Sequence, residues 1–353
     1  MSLLYTDFIY VIFIILAGIV VISASKTSCY VVYLKEKSKL ATTFFSVILL
    51  SLITALPELV TSITSVGIDE PLLFFNNIIG ANVFTIVSLI VLDVIFVSKY
   101  MFNNISKTNI KMIIILLVFN ILAFVNINLP TLVFLETKHI MLTSYAIIIC
   151  GFNLSWLFLF FIIFYGFFIY RMFESKNEIE EDVSTNLTKK AIIIRLIITS
   201  LVLVVTTVAL TKVVNLMAAP SNEGGRGLGQ TFAGALLLAI CTGLPEISSA
   251  FYLIKKNQTN IAVGGLLGSN LLNIFILAIS DVMYYCESTL ELVSMSESYL
   301  SFYYLFKIAI FIYLLILLKI ISKDYINKKI YLLPNIIIIV LYFYMWFSNK
   351  LIT

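Results

Sequence analysis

The sequence predicts an all-α polytopic membrane protein: ten transmembrane helices in two inverted-topology halves of five, with broken helices at a midplane site. Three observations predict this fold class. Of the 353 residues, 61% are hydrophobic and 12% are charged, a composition far from that of a soluble domain. Apolar runs of about 20 residues, the length that crosses a bilayer, recur along the chain. Two of these runs contain a proline and a glutamate at matching places.

The ten predicted spans are the long apolar runs near residues 7–28, 40–66, 71–97, 109–127, 153–172, 191–217, 228–254, 260–284, 299–319 and 330–349. Residues 140–152 are apolar as well, but a run of about 13 residues is too short to cross a bilayer. We therefore expect that segment to be a lead-in or interfacial piece. Five spans then separate the two proline–glutamate stretches, so the stretches are expected to run antiparallel.

The charge distribution predicts how the halves lie in the membrane. The first half is residues 1–173 with a repeat at about 41–97, and the second is residues 191–353 with a repeat at about 229–284. Lys and Arg concentrate in the linker 174–190 and in the other connections on its side, which predicts a cytoplasmic linker and an amino terminus outside. The richness in Ile, Lys, Asn and Tyr favours a prokaryotic plasma (inner) membrane.

The proline–glutamate stretches form an internal repeat with an offset of 188 residues. Thr54-Ala55-Leu56-Pro57-Glu58 corresponds to Thr242-Gly243-Leu244-Pro245-Glu246, and Gly80-Ala81-Asn82 corresponds to Gly268-Ser269-Asn270. A proline within a helix removes a backbone donor and frees a carbonyl. A glutamate inside the membrane indicates a functional site with a partner. Interrupted apolar segments at matching places in two halves are typical of a transporter binding site.

The residue types in the repeat predict a calcium site. Thr54 and Glu58 are four residues apart and so share one helix face, and Thr242 and Glu246 repeat this pair. Two carboxylates, two hydroxyls and freed carbonyls provide hard oxygen ligands, which suit calcium better than zinc or copper. Two carboxylates also neutralise one divalent cation.

The helices after each stretch predict a second layer of neutral polar groups. Thr85, Ser269 and Asn273 are oxygen ligands suited to a monovalent counter-ion. Asn82 and Asn270 are expected to hold helix backbone more than to bind ions. Asp93 and Asp281, also related by 188, are expected near opposite mouths of the pathway, either as interfacial caps or as ion-attracting groups. Four further hydroxyls are expected to pack between helices: Thr61, Ser62, Ser248 and Ser249.

Other functional classes are disfavoured. A single histidine, His139, excludes two-histidine zinc motifs, and the four cysteines lack metal-type spacing. Acid and base catalysts need unlike environments, whereas the two glutamate stretches are alike, so we predict that the chain is not an enzyme. A cation channel uses similar acidic oxygens but usually builds its filter from symmetric subunits. No cofactor, nucleic acid or obligatory protein partner is expected; the expected partners are calcium, a monovalent cation and lipid.

These motifs resemble the two alpha repeats of the sodium/calcium exchanger family, within the calcium/cation antiporter group. The family form is G-T-S-L-P-E followed by G-S-N-x-x-N; the chain reads I-T-A-L-P-E with G-A-N-V-F-T, then C-T-G-L-P-E with G-S-N-L-L-N. The resemblance implies exchange of one calcium ion for several sodium ions by alternating access. It assigns calcium to Glu58 and Glu246 with Thr54 and Thr242. It assigns sodium to the backbone carbonyls of Ser51 and Ala239.

Several positions depart from the family form. The motif serines are replaced by Ala55, Gly243 and Ala81, and Thr85 stands where the family has Asn. The side-chain ligands for sodium are therefore fewer, whereas the calcium ligands are intact. Sodium, protons carried by the glutamates, and a different divalent ion all remain open as transported species.

Overall fold

The computed structural model describes residues 2–38, 44–67, 71–128, 133–136, 140–143, 146–149, 152–173, 185–218, 232–284, 289–295, 299–322 and 328–349. Helices dominate these ranges. They are α1 Ser2–Glu36, α2 Ser51–Thr54, α3 Leu56–Gly67, α4 Pro71–Ile95, α5 Lys107–Ile127, α6 Trp156–Phe173, α7 Lys189–Ala218, α8 Phe232–Lys255, α9 Thr259–Met283, α10 Thr289–Met295, α11 Tyr299–Ile321 and α12 Lys328–Asn349. Within the described residues, each predicted span overlaps one of these helices or, for 40–66, a broken series of them. Most of the predicted linker, residues 174–184, and the start of the second repeat, 229–231, lie outside the described residues.

Among the described residues, six helices are long and apolar enough to cross a bilayer. The spanning stretches lie in α1, α4, α5, α7, α9 and α11. Shorter apolar stretches lie in α6 and α12, at Trp156–Tyr170 and Ile330–Tyr344. Large apolar side chains such as Ile14, Ile163 and Leu201 are exposed on these helices, as expected of surfaces that face lipid. The protein is therefore a multi-pass membrane protein.

The described chain forms two compact units. The first comprises residues within 1–57, 176–269 and 346–353, and in it α1 packs against α7 and α8. The second comprises residues within 58–175 and 270–345, and in it α11 packs against α4 and α5. Each unit combines segments from both halves of the sequence. The division into two sequence halves therefore stays a prediction.

The first proline–glutamate stretch is a broken helix. A π-helical segment, Phe44–Leu50, leads into α2, which ends at Thr54. Ala55 then leaves helical geometry, with φ −87° and ψ 1°, and α3 begins at Leu56. Pro57 thus lies in the first turn of α3, where a missing backbone donor is tolerated.

The second stretch differs from the predicted break. Pro245 lies inside α8, which continues from Phe232 to Lys255. A proline in a helix interior removes one hydrogen bond, but packing of the turns on either side can keep the helix continuous. The prediction of a broken helix therefore holds for the first copy and is wrong for the second.

A small sheet qualifies the all-α prediction. Four strands, β1 Val133–Glu136, β2 Ile140–Thr143, β3 Ala146–Ile149 and β4 Phe152–Ser155, form an antiparallel meander in that order. The segment predicted as a lead-in, 140–152, supplies most of it. Its isoleucines and threonine are β-branched and favour strands, and it is too short to span a bilayer as a helix.

The two motif glycines have different surroundings. A Cβ on Gly268 would lie 2.7 Å from the carbonyl oxygen of Val47 and 2.9 Å from its Cα, so the π-helical segment packs directly on α9 there. A Cβ on Gly80 would meet no atom of the described residues within 4 Å. A close approach of a neighbouring backbone is thus present at Gly268.

Gly268→Ala is expected to destabilise the protein, because the added methyl group meets backbone atoms that cannot move aside. Overpacking of this kind costs about 1–3 kcal/mol. Gly80→Ala is the matched control, since alanine there gains helix propensity of up to about 1 kcal/mol and its methyl group meets none of the described atoms within 4 Å. Thermal unfolding of both purified variants in detergent measures the difference. Equal midpoints would contradict the close packing.

Candidate functional site

Eight of the nine predicted site residues are buried, and the ninth, Ala239, lies in α8. The first unit contains Ser51, Thr54, Ala239, Thr242, Glu246 and Ser269, and the second contains Glu58, Thr85 and Asn273. Glu58 is 2% exposed and Glu246 is 3% exposed. Carboxylates at this depth are costly unless they are compensated by hydrogen bonds or a cation, so both positions are consistent with ion binding.

A small cavity in the first unit brings three oxygen-bearing side chains together. Thr54, Glu246 and Ser249 line it, and its other walls are apolar or backbone: Leu50, Ala250, Ala262, Gly265 and Leu266. Its volume is about 10 Å³. A cavity of that size holds about one water-sized particle.

Both hydroxyl groups at this cavity donate to backbone carbonyls. Thr54 Oγ1 lies 3.2 Å from the carbonyl oxygen of Leu50, to which it donates within its own helix series. Ser249 Oγ donates to the carbonyl oxygen of Ala24 on α1, at 3.4 Å. Since each hydrogen is committed to a carbonyl, the hydroxyl oxygens keep lone pairs for another partner. Together with the Glu246 carboxylate they form an acceptor-rich lining that suits a cation.

Two further serines hold the helices around this cavity. Ser269 Oγ on α9 donates to Glu246 Oε1 on α8, at 3.3 Å. Ser51 Oγ on α2 donates to the carbonyl oxygen of Gly265, at 3.0 Å. The carbonyl of Ser51 itself accepts from the N–H of Ala55 at 2.9 Å and from the hydroxyl of Thr54 at 3.3 Å.

In the second unit, the asparagines of the two repeats bind each other. Asn82 Nδ2 donates to the carbonyl oxygen of Asn270 at 3.2 Å, and Asn270 Nδ2 donates to the carbonyl oxygen of Asn82 at 3.0 Å. Asn270 Nδ2 also donates to the hydroxyl of Tyr313 on α11, at 3.2 Å. Asn82 and Asn270 therefore hold helix backbone, as the sequence predicted.

Asn273 extends this polar contact between α4 and α9. Its Nδ2 donates to Asn82 Oδ1 at 3.0 Å, which orients the amide. Its Oδ1 is buried without a hydrogen-bond partner in the described structure. A buried carbonyl oxygen of this kind is an acceptor available to an ion. Thr85 is buried on α4, three residues after Asn82.

Two residues of this region were not predicted as functional. Ser249 was expected to be a packing hydroxyl, and its hydrogen bond to Ala24 on α1 confirms this. It also lines the cavity with Glu246, and its position three residues after Glu246, on the same helix face, is the signal for that second role. Tyr313 has no counterpart in the repeat, and no sequence pattern marked it. The duplicated aspartates also differ: Asp281 accepts from the N–H and the hydroxyl of Thr289 at the start of α10, at 2.8 and 2.5 Å, as a cap does.

Comparison with known proteins identifies the fold. Residues 191–349 match the sequence model of the family described as Sodium/calcium exchanger protein. No curated protein matches the chain in sequence. The match confirms the resemblance to the exchanger family in the second half of the chain. That family transports ions and is not a family of enzymes, in agreement with the prediction for this chain.

Solved structures of the sodium-calcium exchanger NCX_Mj are similar over nearly the whole chain. The form soaked with 10 mM Na+ and zero Ca2+ has a TM-score of 0.61 and 17% identity, and the alignment covers 96% of this chain and 99% of that one. The form soaked with 2.5 mM Na+ and 0.1 mM Sr2+ has a TM-score of 0.63, 16% identity and coverages of 97% and 98%. The form soaked with 2.5 mM Na+ and 0.1 mM Ca2+ has a TM-score of 0.59, 17% identity and coverages of 92% and 96%. The chain therefore shares the fold of these exchanger structures.

Asn270→Ala is expected to destabilise the protein, because it removes two buried hydrogen bonds between helices and leaves the carbonyl of Asn82 without that donor. Each such buried loss costs about 1–3 kcal/mol. Asn120→Ala is the matched control, since the Asn120 amide is also buried but donates to Leu116 in its own helix. Thermal unfolding midpoints in detergent measure the stability of both variants. Equal losses of stability would contradict the importance of the Asn82–Asn270 contact.

Proposed function

We propose that this protein is a secondary active antiporter that exchanges calcium for sodium across a membrane by alternating access. The observation that carries the proposal is the buried glutamate in each copy of the repeat, Glu58 and Glu246, within the fold of an exchanger. A glutamate at this depth needs a cation or hydrogen-bond donors, and a transported ion is a cation that such a site can release.

The proposed architecture is ten transmembrane helices in two inverted halves of five. The reciprocal hydrogen bonds between Asn82 and Asn270 support it, because these residues are related by the repeat offset of 188. When two equivalent residues each donate to the other's carbonyl, a local two-fold relation is expected between them, as at an isologous contact. The placement of Lys and Arg supports an amino terminus outside, a cytoplasmic linker at 174–190 and a plasma (inner) membrane location.

The proposed calcium ligands are the carboxylates of Glu58 and Glu246 and the hydroxyls of Thr54 and Thr242. All four are buried. Two carboxylates neutralise one divalent ion, and neutral oxygens complete the six to eight ligands that calcium takes. The acceptor-rich cavity beside Thr54 and Glu246 supports this ligand chemistry within the first unit.

The proposed counter-ion ligands are neutral oxygens. They are the backbone carbonyls of Ser51 and Ala239 and the side chains of Thr85, Ser269 and Asn273. The hydrogen-bond geometry supports one of them, because Asn273 presents a buried Oδ1 that has no hydrogen-bond partner among the described residues.

Exchange without leak follows from the cost of burying charge. Calcium and the counter-ion compete for one pair of carboxylates, so the site holds one or the other. The empty site carries two negative charges, and moving unpaired charges through a low-dielectric barrier costs several kcal/mol per ion. Only loaded forms therefore pass between the inward-open and outward-open states.

A proton-coupled antiporter of calcium or another divalent cation is the second candidate. The observation that favours it is the loss of three motif serines, replaced by Ala55, Gly243 and Ala81, which leaves fewer side-chain ligands for sodium. In that case Glu58 and Glu246 would carry protons in the return step. A cation channel is disfavoured because an internal repeat around one buried site is typical of a transporter.

Glu58→Gln and Glu246→Gln are each expected to lower calcium uptake by roughly 100-fold or more. Each substitution removes one of the two carboxylates that neutralise the bound calcium ion, and breaking a buried charge pair in this way costs about 3–5 kcal/mol. The measurement is calcium-45 uptake into proteoliposomes loaded with sodium, alongside vesicles that have a pH gradient and no sodium. Sodium-driven uptake supports the first candidate, and uptake driven only by the pH gradient supports the second.

Glu36→Gln is the control for these variants. Glu36 ends α1 and pairs with Lys35 at 3.4 Å, at a partly exposed position. Its uptake is expected to match that of the unsubstituted protein. Normal uptake by either Glu58→Gln or Glu246→Gln would refute the shared carboxylate site.

A further inference from the structure

A buried polar cluster in the second unit lies away from the proposed ion ligands. It joins Asp93 near the end of α4, Lys319 on α11, and Tyr331 and Asn335 on α12, and we call it the Asp93 cluster. None of these four side chains is more than 1% exposed. The proposed transport mechanism uses none of them.

Each oxygen of the Asp93 carboxylate has a donor. Oδ1 accepts from the hydroxyl of Tyr331 at 2.7 Å. Oδ2 accepts from Asn335 Nδ2 at 2.8 Å and from the ammonium of Lys319. The position was predicted to cap an interface or to attract ions. The second role is wrong for Asp93, because a lysine of the same chain already neutralises it.

The ammonium of Lys319 is buried among polar and aromatic groups. It donates to Asp93 and, at 2.7 Å, to Asn335 Oδ1. It also lies 3.5 Å from the centre of the Tyr331 ring and 5.0 Å from that of Phe102, within the range of cation–π attraction. A carboxylate, an amide oxygen and two aromatic faces thus surround one positive charge.

The hydrogen bonds of the cluster also define its orientation. Asn335 accepts from Lys319 through Oδ1 and donates to Asp93 through Nδ2, so both ends of its amide are used. The hydroxyl of Tyr331 donates to Asp93 and accepts from the N–H of Phe102 at 3.3 Å. A polar network satisfied in this way holds one arrangement of its helices, because any displacement of a helix leaves a buried charge without its partner.

The same position in the second repeat has a different chemistry. Asp281, offset by 188 from Asp93, accepts from Thr289, a neutral residue. The duplicated aspartates have therefore diverged, and only the first is shown bound to a lysine among the residues that the structure describes. This difference indicates that the Lys319 pair is a specific feature of the α4 end.

We propose that Lys319 is a tethered cation that permanently fills a site built around Asp93 and fixes α4, α11 and α12 as one corner that stays closed throughout transport. Asp93 and Lys319 are then positioning residues. They act through α4, on which Thr85 lies eight residues before Asp93, or about 12 Å along the helix. The transport part of this inference rests on the proposed antiport function.

The first test compares charge removal at one partner and at both. Lys319→Met or Asp93→Asn alone leaves a buried charge uncompensated, so each is expected to lower the thermal midpoint by on the order of 10 °C. The pair Asp93→Asn with Lys319→Met removes both charges and is expected to recover to within about 3 °C of the original protein. Asp281→Asn is the matched control and is expected to lower the midpoint less than Asp93→Asn. A pair that is no more stable than the single variants would overturn the tethered-cation assignment.

The second test asks whether the corner opens during transport. In a protein with its four native cysteines replaced, Asp93→Cys and Asn335→Cys are combined with Lys319→Met, so that no lysine is left unpaired. A short thiol-specific cross-linker then joins α4 to α12. Exchange is expected to stay within about twofold of the same protein before cross-linking, with an unchanged calcium concentration dependence. Inhibition that dithiothreitol reverses would show that the corner opens and would overturn the proposal.

The two tests separate this inference from the proposed function. If the unsubstituted protein exchanges no calcium, the antiport proposal fails, while the thermal comparison still tests the ion pair. If the triple variant does not fold, the thermal comparison decides. If the original protein exchanges and cross-linking inhibits it, the fixed corner alone is refuted.

Discussion

The cost of burying a charge away from water is the constraint on which this structure depends. The chain meets that cost in different ways. Lys319 neutralises Asp93 within the fold, and Thr289 supplies donors to Asp281. Glu246 accepts a hydrogen bond from the Ser269 hydroxyl and borders a cavity the size of a water molecule. An antiporter needs a carboxylate that has space beside it for an exchangeable ion. A carboxylate that is paired with a lysine is instead suited to holding helices together.

Neutral polar contacts and small residues bring the helices close enough for these buried groups to meet. Asn82 and Asn270 join α4 to α9 through backbone carbonyls, which do not depend on rotamers of long side chains. Gly268 allows the backbone of Val47 to lie against α9 in the first unit. In a bilayer the lipid is as apolar as the helices, so packing of small residues and hydrogen bonds between helices replace the hydrophobic effect as the source of specificity.

The sequence was sufficient for the helices and for the motif, because both depend on local patterns. Apolar runs of spanning length predicted the helix positions, and the offset of 188 marked the repeat that contains Glu58 and Glu246. The sequence was insufficient where contacts between distant residues determine the structure. Nothing local distinguishes Asp93 from Asp281, since the partner Lys319 lies 226 residues away in the chain. Likewise Pro57 and Pro245 have the same neighbours in sequence, yet only the first lies beside a break.

The central claim is that calcium and its counter-ion compete for one buried carboxylate site. The most direct measurement is calcium binding to the purified protein by isothermal titration calorimetry, at a series of sodium concentrations and at a series of pH values. The account predicts that the apparent Kd for calcium rises steadily with the concentration of the counter-ion, sodium in the first candidate and protons in the second. A Kd that is unchanged across both series would contradict it.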